Sequence, residues 1–567
     1  MSDPWYSTNR DFLENSDLLR YKLGRVQSGR ATPDLPPNTE DVKYQSFGFN
    51  GSFHKGLQHN NLGSLVNPSH YVLMRMALQS NNQSRLANVP MAAGYQMKLV
   101  DPWASLSTPL VGTPQWKVPV DIPPTLSSKE SSAMMAELYA MVLSRDQPFF
   151  NNGANATALT IMNDPQVIAN LPHYSPIGVN FTAQTLFRGM SASEKFGPYI
   201  SQLLLLNIPM GGMTVEQKYN AQPTKQMAIA EGKTVEWGRN NTEMVAMQNT
   251  TLNLLPPANT VMQKRYIHTG RSLAEAVHID PVYQFFYQAS LILLGLGVPM
   301  NPGMPSYANQ ASFITGASGP SVQCSIAEVT GLALKHAWFW KWQVFRGLRP
   351  EVYSLWVDNV LNARVANAGN YDIDSILLNS AAINAIKAYN QSWGFADSYT
   401  LPTTYREGSP IHPDWPSGHA TVAGAAITIM KIFFNATGLW SSLPGLQPGN
   451  INRTIVPLSV SGIYAQASTN GGILIDYSLG DASSMTINGE LNKLASNVAF
   501  GRDFAGIHYR SSAVGGILLG EKVAIGYMED QLSSMVQNGV GGTKPSITIQ
   551  GYLGNTIVIV PSIYKPL

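Results

Sequence analysis

A single cysteine in 567 residues, Cys324, rules out an intrachain disulfide, a cysteine-built metal centre and a CxxC redox pair. Charge is scarce as well: Asp, Glu, Lys and Arg make up 13% of the chain, against roughly 25% in an average soluble protein. So little charge covers the surface of a monomer poorly, which implies extensive burial between subunits. The formal net charge is only +2 and no basic run occurs, so nucleic acid is excluded as a partner. No apolar stretch reaches the roughly 18 to 20 residues of a membrane span. The most apolar one, residues 285–300, contains Gln288, Ser290, Gly295, Gly297 and Pro299 and reads as a buried core helix. Met1-Ser2-Asp3-Pro4-Trp5 shows no basic segment leading into an apolar run, so no signal peptide is visible and a cytoplasmic or otherwise soluble protein is expected.

Residues 1–66 are rich in Asn, Ser, Pro and Gly, with isolated aromatic anchors such as Trp5, Tyr6, Tyr44, Phe47 and Phe49. This texture predicts an extended N-terminal arm laid across a neighbouring subunit, followed by one helical domain over 67–567. Apolar residues recur at helical spacing over 131–144, 198–206, 281–296, 326–345, 375–389, 420–436, 489–500 and 511–536. Strand-like alternation marks 214–219 with 234–237, and a C-terminal hairpin over 546–561. Pro- and Gly-bearing loops, above all 402–416, separate the helices and bring residues to one mouth.

Chemistry concentrates between residues 335 and 515. Trp415-Pro416-Ser417-Gly418-His419-Ala420 sets a hydroxyl, a glycine amide and an imidazole at the start of a helix, where backbone N–H groups attract an anion. Arg502 and His508 flank Gly506, and both can reach one ligand if the chain bends there. Lys341 lies in the aromatic run Trp338-Phe339-Trp340-Lys341-Trp342, where a charge is costly unless paired. Arg349 precedes Pro350, which biases it away from helical backbone. Arg346 competes with it as a candidate, although an ion pair with Glu351 or Glu328 is equally open. His412 lies on the Pro-rich loop seven residues before His419. Asp503, Asp414 and Asp358 are each open as partners for an imidazole. Three cations, a Ser-Gly-His turn and a late histidine are the parts that grip a tetrahedral oxyanion.

These motifs resemble those of the vanadium-dependent haloperoxidases, whose pocket is related to that of the type 2 phosphatidic acid phosphatases. The phosphatases and the fungal chloroperoxidases show Lys, six residues, then Arg-Pro; here seven residues separate Lys341 from Arg349. That spacing, together with His412, is similar to the algal and cyanobacterial bromoperoxidase branch. The phosphatases also carry an Asp four residues after the last histidine, where this chain has Ser512.

The resemblance implies a mainly α protein in which two four-helix bundles form a vanadate pocket. Lys341, Arg349, Arg502, Ser417 and the Gly418 amide would hold the vanadate oxygens, His508 would bind vanadium, and His419 would act as acid–base. Catalysis would involve Lys341, His412, His419 and His508, with Trp340 and His412 beside the halide, since Trp340 stands where the algal members tend to have Arg. Hydrogen peroxide, bromide, chloride or iodide as further halides, and small organic nucleophiles are the implied partners. A structural calcium ion stays open, although no residue pattern supports one. Two rivals remain at this point: an acid phosphatase using His508 as the phospho-accepting nucleophile, and a non-enzymatic assembly protein, which leaves the convergent anion motifs unexplained.

Overall fold

The computed structural model describes residues 4–30, 34–80, 82–173, 180–251, 263–306, 308–535 and 545–564; residue 536, the expected end of the last long helix, lies outside them. The chain is mainly helical. Its centre is the helix Gly418–Phe433, all of whose residues except His419 are buried. Gly319–Phe339, Ile487–Phe504 and Arg510–Met535 pack around it. Small residues set the closest of these crossings. A side chain at Gly424 would strike the Ile517 carbonyl, and one at Gly520 would strike the Thr421 carbonyl. Glycine at both positions therefore lets the two helix backbones touch. A second helical group gathers about the buried helix Lys129–Ser144, with Ala156–Met162, Pro165–Asn170, Ser375–Leu378 and Ala381–Gln391 against it. Glu137 and Arg510 join the two groups through a buried ion pair at 2.7 Å.

Several elements depart from the periodicity. The helix expected over 375–389 is two helices, interrupted at Asn379–Ser380. Of residues 198–206 only Gln202–Leu204 forms a single tight turn, buried as a loop rather than as a helix face. Met213–Val215 pairs with Ile208–Met210 rather than with 234–237. Gly211 and Gly212, both at positive φ, close that hairpin in two residues, which local turn chemistry favours over a distant partner. The C-terminal hairpin pairs Ile547–Gln550 with Thr556–Ile559.

The extended arm is corrected. Pro4–Gly29 is a helix, and the segment after it folds inward on its own chain. Phe49, Phe53, Leu57 and Leu65 form one buried cluster with Tyr71, Met74, Trp342 and Ile411, so the expected boundary at residue 66 runs through a core. Arg346 is tied to this segment, donating to Asp41 at 2.8 Å, and not to Glu351 or Glu328. Asn, Ser, Pro and Gly suit short turns as well as extended chain, and burial of the aromatics between those turns decides the outcome.

Candidate active site

Ser417 caps the central helix, its hydroxyl accepting from the Ala420 amide, and its own amide donates to Ser512 O at 3.0 Å. This bond holds the Ser-Gly-His turn against the start of Arg510–Met535. The Gly418 amide opens the helix, where the first N–H groups have no intrahelical acceptor. A side chain at Gly418 would meet the Trp338 ring at 2.9 Å, so glycine lets that ring pack against the turn. Gly506, at φ 82, makes the bend that carries His508 back towards the turn.

Lys341 lies at the end of Gly319–Phe339, where the helix widens to a π-turn over Trp340–Phe345 and the Arg346 amide reaches Lys341 O. Its wholly buried ammonium donates to Pro413 O at 2.6 Å and Asp414 O at 2.7 Å. With three N–H donors, one remains for a ligand. Arg349, also wholly buried, donates from Nη1 to Ile507 O at 2.8 Å and from Nη2 to His412 O at 2.9 Å. Nη2 lies 3.0 Å from His412 Nδ1. Nη1 lies 2.9 Å from His508 Nε2 and 3.3 Å from its Nδ1. One atom that close to both nitrogens of an imidazole stands over the ring, because the in-plane positions of the two nitrogens diverge. Arg502 donates from Nη1 to Val277 O at 2.6 Å, its guanidinium lies over the Tyr405 ring, and its buried Nε has no partner among the described residues.

His508 is oriented by Asp414, whose Oδ1 is 2.6 Å from Nδ1. Ser512 Oγ is 3.1 Å from the same nitrogen and donates to Asp414 Oδ1 at 3.3 Å. Asp414 is thus the partner among the three aspartates considered; Asp358 binds Arg364, and Asp503 keeps a buried oxygen without a partner among the described residues. A carboxylate on Nδ1 holds the proton there and leaves the Nε2 lone pair for a ligand.

His419 keeps 28% of its side-chain surface open and bonds through Nε2 to Asp280 Oδ1 at 2.8 Å. Sequence reading missed Asp280, which lies 139 residues from His419 and carries no local signal. A cavity of about 230 Å³ opens beside the pair, lined by Tyr219, Glu275, His278, Asp280 and Gln284 among others.

Trp340, expected beside the halide, is buried in the π-turn. Its ring packs on Phe345 and against Phe339, while Trp338 lies on His412 at 4.7 Å between centroids and under the Lys341 ammonium. Helical geometry explains the difference: residues three apart share a face, whereas adjacent ones do not. The spacing of Trp338 from Lys341 is therefore the signal that would have found it.

Burial pushes the groups of this pocket toward their neutral forms, with Asp280 the exception. Burial and then the neighbouring Arg349 hold the Lys341 ammonium well below its ordinary pKa. Burial presses Arg349 down to about 10 despite Asp414. His508 and His412 fall well below the usual imidazole value through burial and the surrounding cations. Burial raises Asp414 to about 7 against the pull of Arg349 and Lys341. Burial lowers His419 too, with Asp280 opposing. At Asp280 burial acts upward, but the His419 charge and hydrogen bond carry the net shift downward. Crowded, desolvated cations of this kind gain from an anion among them.

No family model matches the chain. It is 30% identical over 503 residues to a vanadium-dependent bromoperoxidase of Ascophyllum nodosum, covering 86% of this chain and 83% of that protein. Vanadium-dependent bromoperoxidases of Corallina pilulifera and Corallina officinalis are 27% and 28% identical, over 89% and 86% of this chain and 90% and 88% of theirs. Among solved structures, a homohexameric vanadate-dependent bromoperoxidase of Ascophyllum nodosum superposes with a TM-score of 0.80 at 25% identity, covering 99% of this chain and 92% of that one. Identity at this level over most of both partners, on one fold, means that the chain belongs to the vanadium-dependent bromoperoxidase family.

Proposed function

We propose that the protein oxidises bromide with hydrogen peroxide to hypobromous acid or an equivalent, which halogenates small organic nucleophiles, and that vanadate is its cofactor. One observation carries the reading: three buried cationic side chains, Lys341, Arg349 and Arg502, stand around His508, whose Nδ1 is held by Asp414. The residues fit the group. Among the described residues Arg502 Nε is a buried donor without a partner, and Lys341 keeps a donor. Lys341, Arg349, Arg502, Ser417 and the Gly418 amide would hold the oxyanion, with His508 Nε2 as the single protein ligand to vanadium.

Bound vanadate supplies a Lewis acid that polarises peroxide without changing oxidation state. His419, engaged with Asp280 through Nε2, takes the peroxide proton at Nδ1 and returns it. The reaction consumes one halide, one peroxide and one proton and yields hypohalous acid and water. Lys341 directs its remaining N–H at the developing negative charge. His412, neutral because burial lowers its pKa, and the Trp338 ring form the side proposed to receive halide. Bromide is the proposed halide, with chloride and iodide to be compared; organic acceptors would enter through the cavity beside Asp280.

Scarce charge and the homohexameric relative support a high-order homo-oligomer. Among the described residues no helix is long and apolar enough to cross a membrane. No group of three or more His, Cys, Asp or Glu gathers at a cation position among them either, and no calcium site is proposed.

The phosphatase reading has one observation in its favour. Ser512 had separated this chain from the phosphatases, but Asp414 supplies an orienting carboxylate that would equally serve a phospho-accepting histidine. Metal-free protein incubated with orthovanadate, then given peroxide, bromide and a dimedone reporter, should brominate, and phosphate should suppress the activity. Hydrolysis of a phosphate ester that vanadate inhibits, without bromination, would transfer the pocket to the phosphatase alternative.

A further inference from the structure

Lys55 belongs to the N-terminal segment, yet only 1% of its side chain is exposed. Its ammonium donates to Glu351 Oε1 at 2.8 Å, Glu407 O at 2.7 Å and Ser409 O at 2.7 Å. These three acceptors satisfy all of its donors. Glu351 in turn accepts from Gln248 Nε2 at 2.8 Å, and from the amide and hydroxyl of Ser409, each at 2.7 Å. The pair therefore clamps two pieces of the pocket wall. Glu351 lies in the first turn of Pro350–Leu361, two residues after Arg349, and Ser409 lies three residues before His412 on the Pro-rich loop. Arg349 and His412 meet across that junction, guanidinium to imidazole, at 3.0 Å.

The same segment holds the other side of Arg349. The Phe53 amide donates to Arg346 O at 2.8 Å, Ser52 bridges to Gly347, and Asp41 accepts from Arg346 Nη2 at 2.8 Å. Arg346 stands in left-handed backbone at φ 44, a conformation that its surroundings must hold. We propose that Lys55 is a positioning residue for the anion pocket: by joining Glu351 to the 407–409 turn it fixes Arg349 against His412. Buried ion pairs are weak sources of net stability, since desolvation offsets attraction. The position of this one between two pocket-bearing segments points to geometry. The inference rests on the bromoperoxidase reading only for what the pocket holds.

The test compares full-length wild type, K55M and K55M/E351Q in thermal unfolding, binding of inorganic phosphate and orthovanadate, and bromide kinetics. K55M leaves Glu351 without a counter-charge and should unfold at lower temperature. The double variant has no unpaired buried charge, should recover most of that loss, and carries the test if K55M does not accumulate. It should nevertheless bind both anions about tenfold more weakly, the scale of lost support behind a ligand shell. Its KM for bromide should rise by about the same factor with kcat little changed. Wild-type anion affinity and bromide KM in a stable double variant would reduce Lys55 to a structural role and overturn the proposal. If wild type bound phosphate but oxidised no bromide, the peroxidase reading would fall and phosphate affinity alone would decide on Lys55.

Discussion

Replacing Lys341 with methionine tests the cation cradle, because stability and anion affinity should respond differently. Methionine nearly preserves the volume of the stem and removes the charge. Two effects on folding oppose each other. Asp414 O loses its donor, at about 1–3 kcal/mol for a buried carbonyl left unmet, while Pro413 O keeps His412 Nδ1 at 3.1 Å. Against this, a wholly buried ammonium no longer has to be desolvated, a relief of several kcal/mol. The net change in stability should therefore be small. Anion affinity has no such compensation. A unit charge about 4 Å from a bound oxyanion, at an effective dielectric of about 20, contributes roughly 4 kcal/mol. That corresponds to a loss on the order of 1,000-fold in affinity. Equilibrium dialysis against orthovanadate, with bound vanadium measured by mass spectrometry and thermal unfolding in parallel, separates the two. A folded K341M that retained vanadate within about threefold of wild type, a difference of less than 1 kcal/mol, would refute the reasoning.

Further outcomes follow from other contacts. H508A should fold but retain no vanadate, whereas H419A should retain it and lose about 10²–10⁴-fold in turnover, the usual share of a positioned acid–base; metal content and kcat measured on the same samples distinguish them. D280N removes the charge that favours protonated His419, so the His419 pKa should fall further and the acidic limb of the kcat/KM profile should move to lower pH. A limb that stayed in place or moved upward would detach Asp280 from the proton step. W338A should raise the KM for bromide while W340A leaves it nearly unchanged and instead lowers the unfolding temperature; the reverse pattern would restore Trp340 to the halide side.

What could be read from sequence divides along physical lines. Lys341, Arg349, Ser417, Gly418, Arg502 and His508 are each recognisable because the chemistry dictates residue type and short-range spacing, through the proline after Arg349, the glycine before His419 and the bend at Gly506. Their convergence follows from the apolar period of three long helices, and that period is visible in the chain. Asp280 and Asp414 are of another kind. A carboxylate that orients an imidazole can arrive from anywhere in the fold, and Asp280 comes from 139 residues away. The N-terminal segment was misread for a related reason: its polar, Gly- and Pro-rich composition describes turns, while its buried partners, Trp342 and Ile411, lie some three hundred residues further on. Trp338 shares a helix face with Lys341 by its spacing of three, a relation that sequence shows as readily as the adjacency of Trp340.

The most direct measurement is a crystal structure of the protein loaded with orthovanadate, with vanadium located by its anomalous signal. The account predicts one vanadium bonded to His508 Nε2, its oxygens within reach of Lys341, Arg349, Arg502, Ser417 and the Gly418 amide. Vanadium bound elsewhere, or an oxyanion in the pocket with no bond to His508, would contradict it.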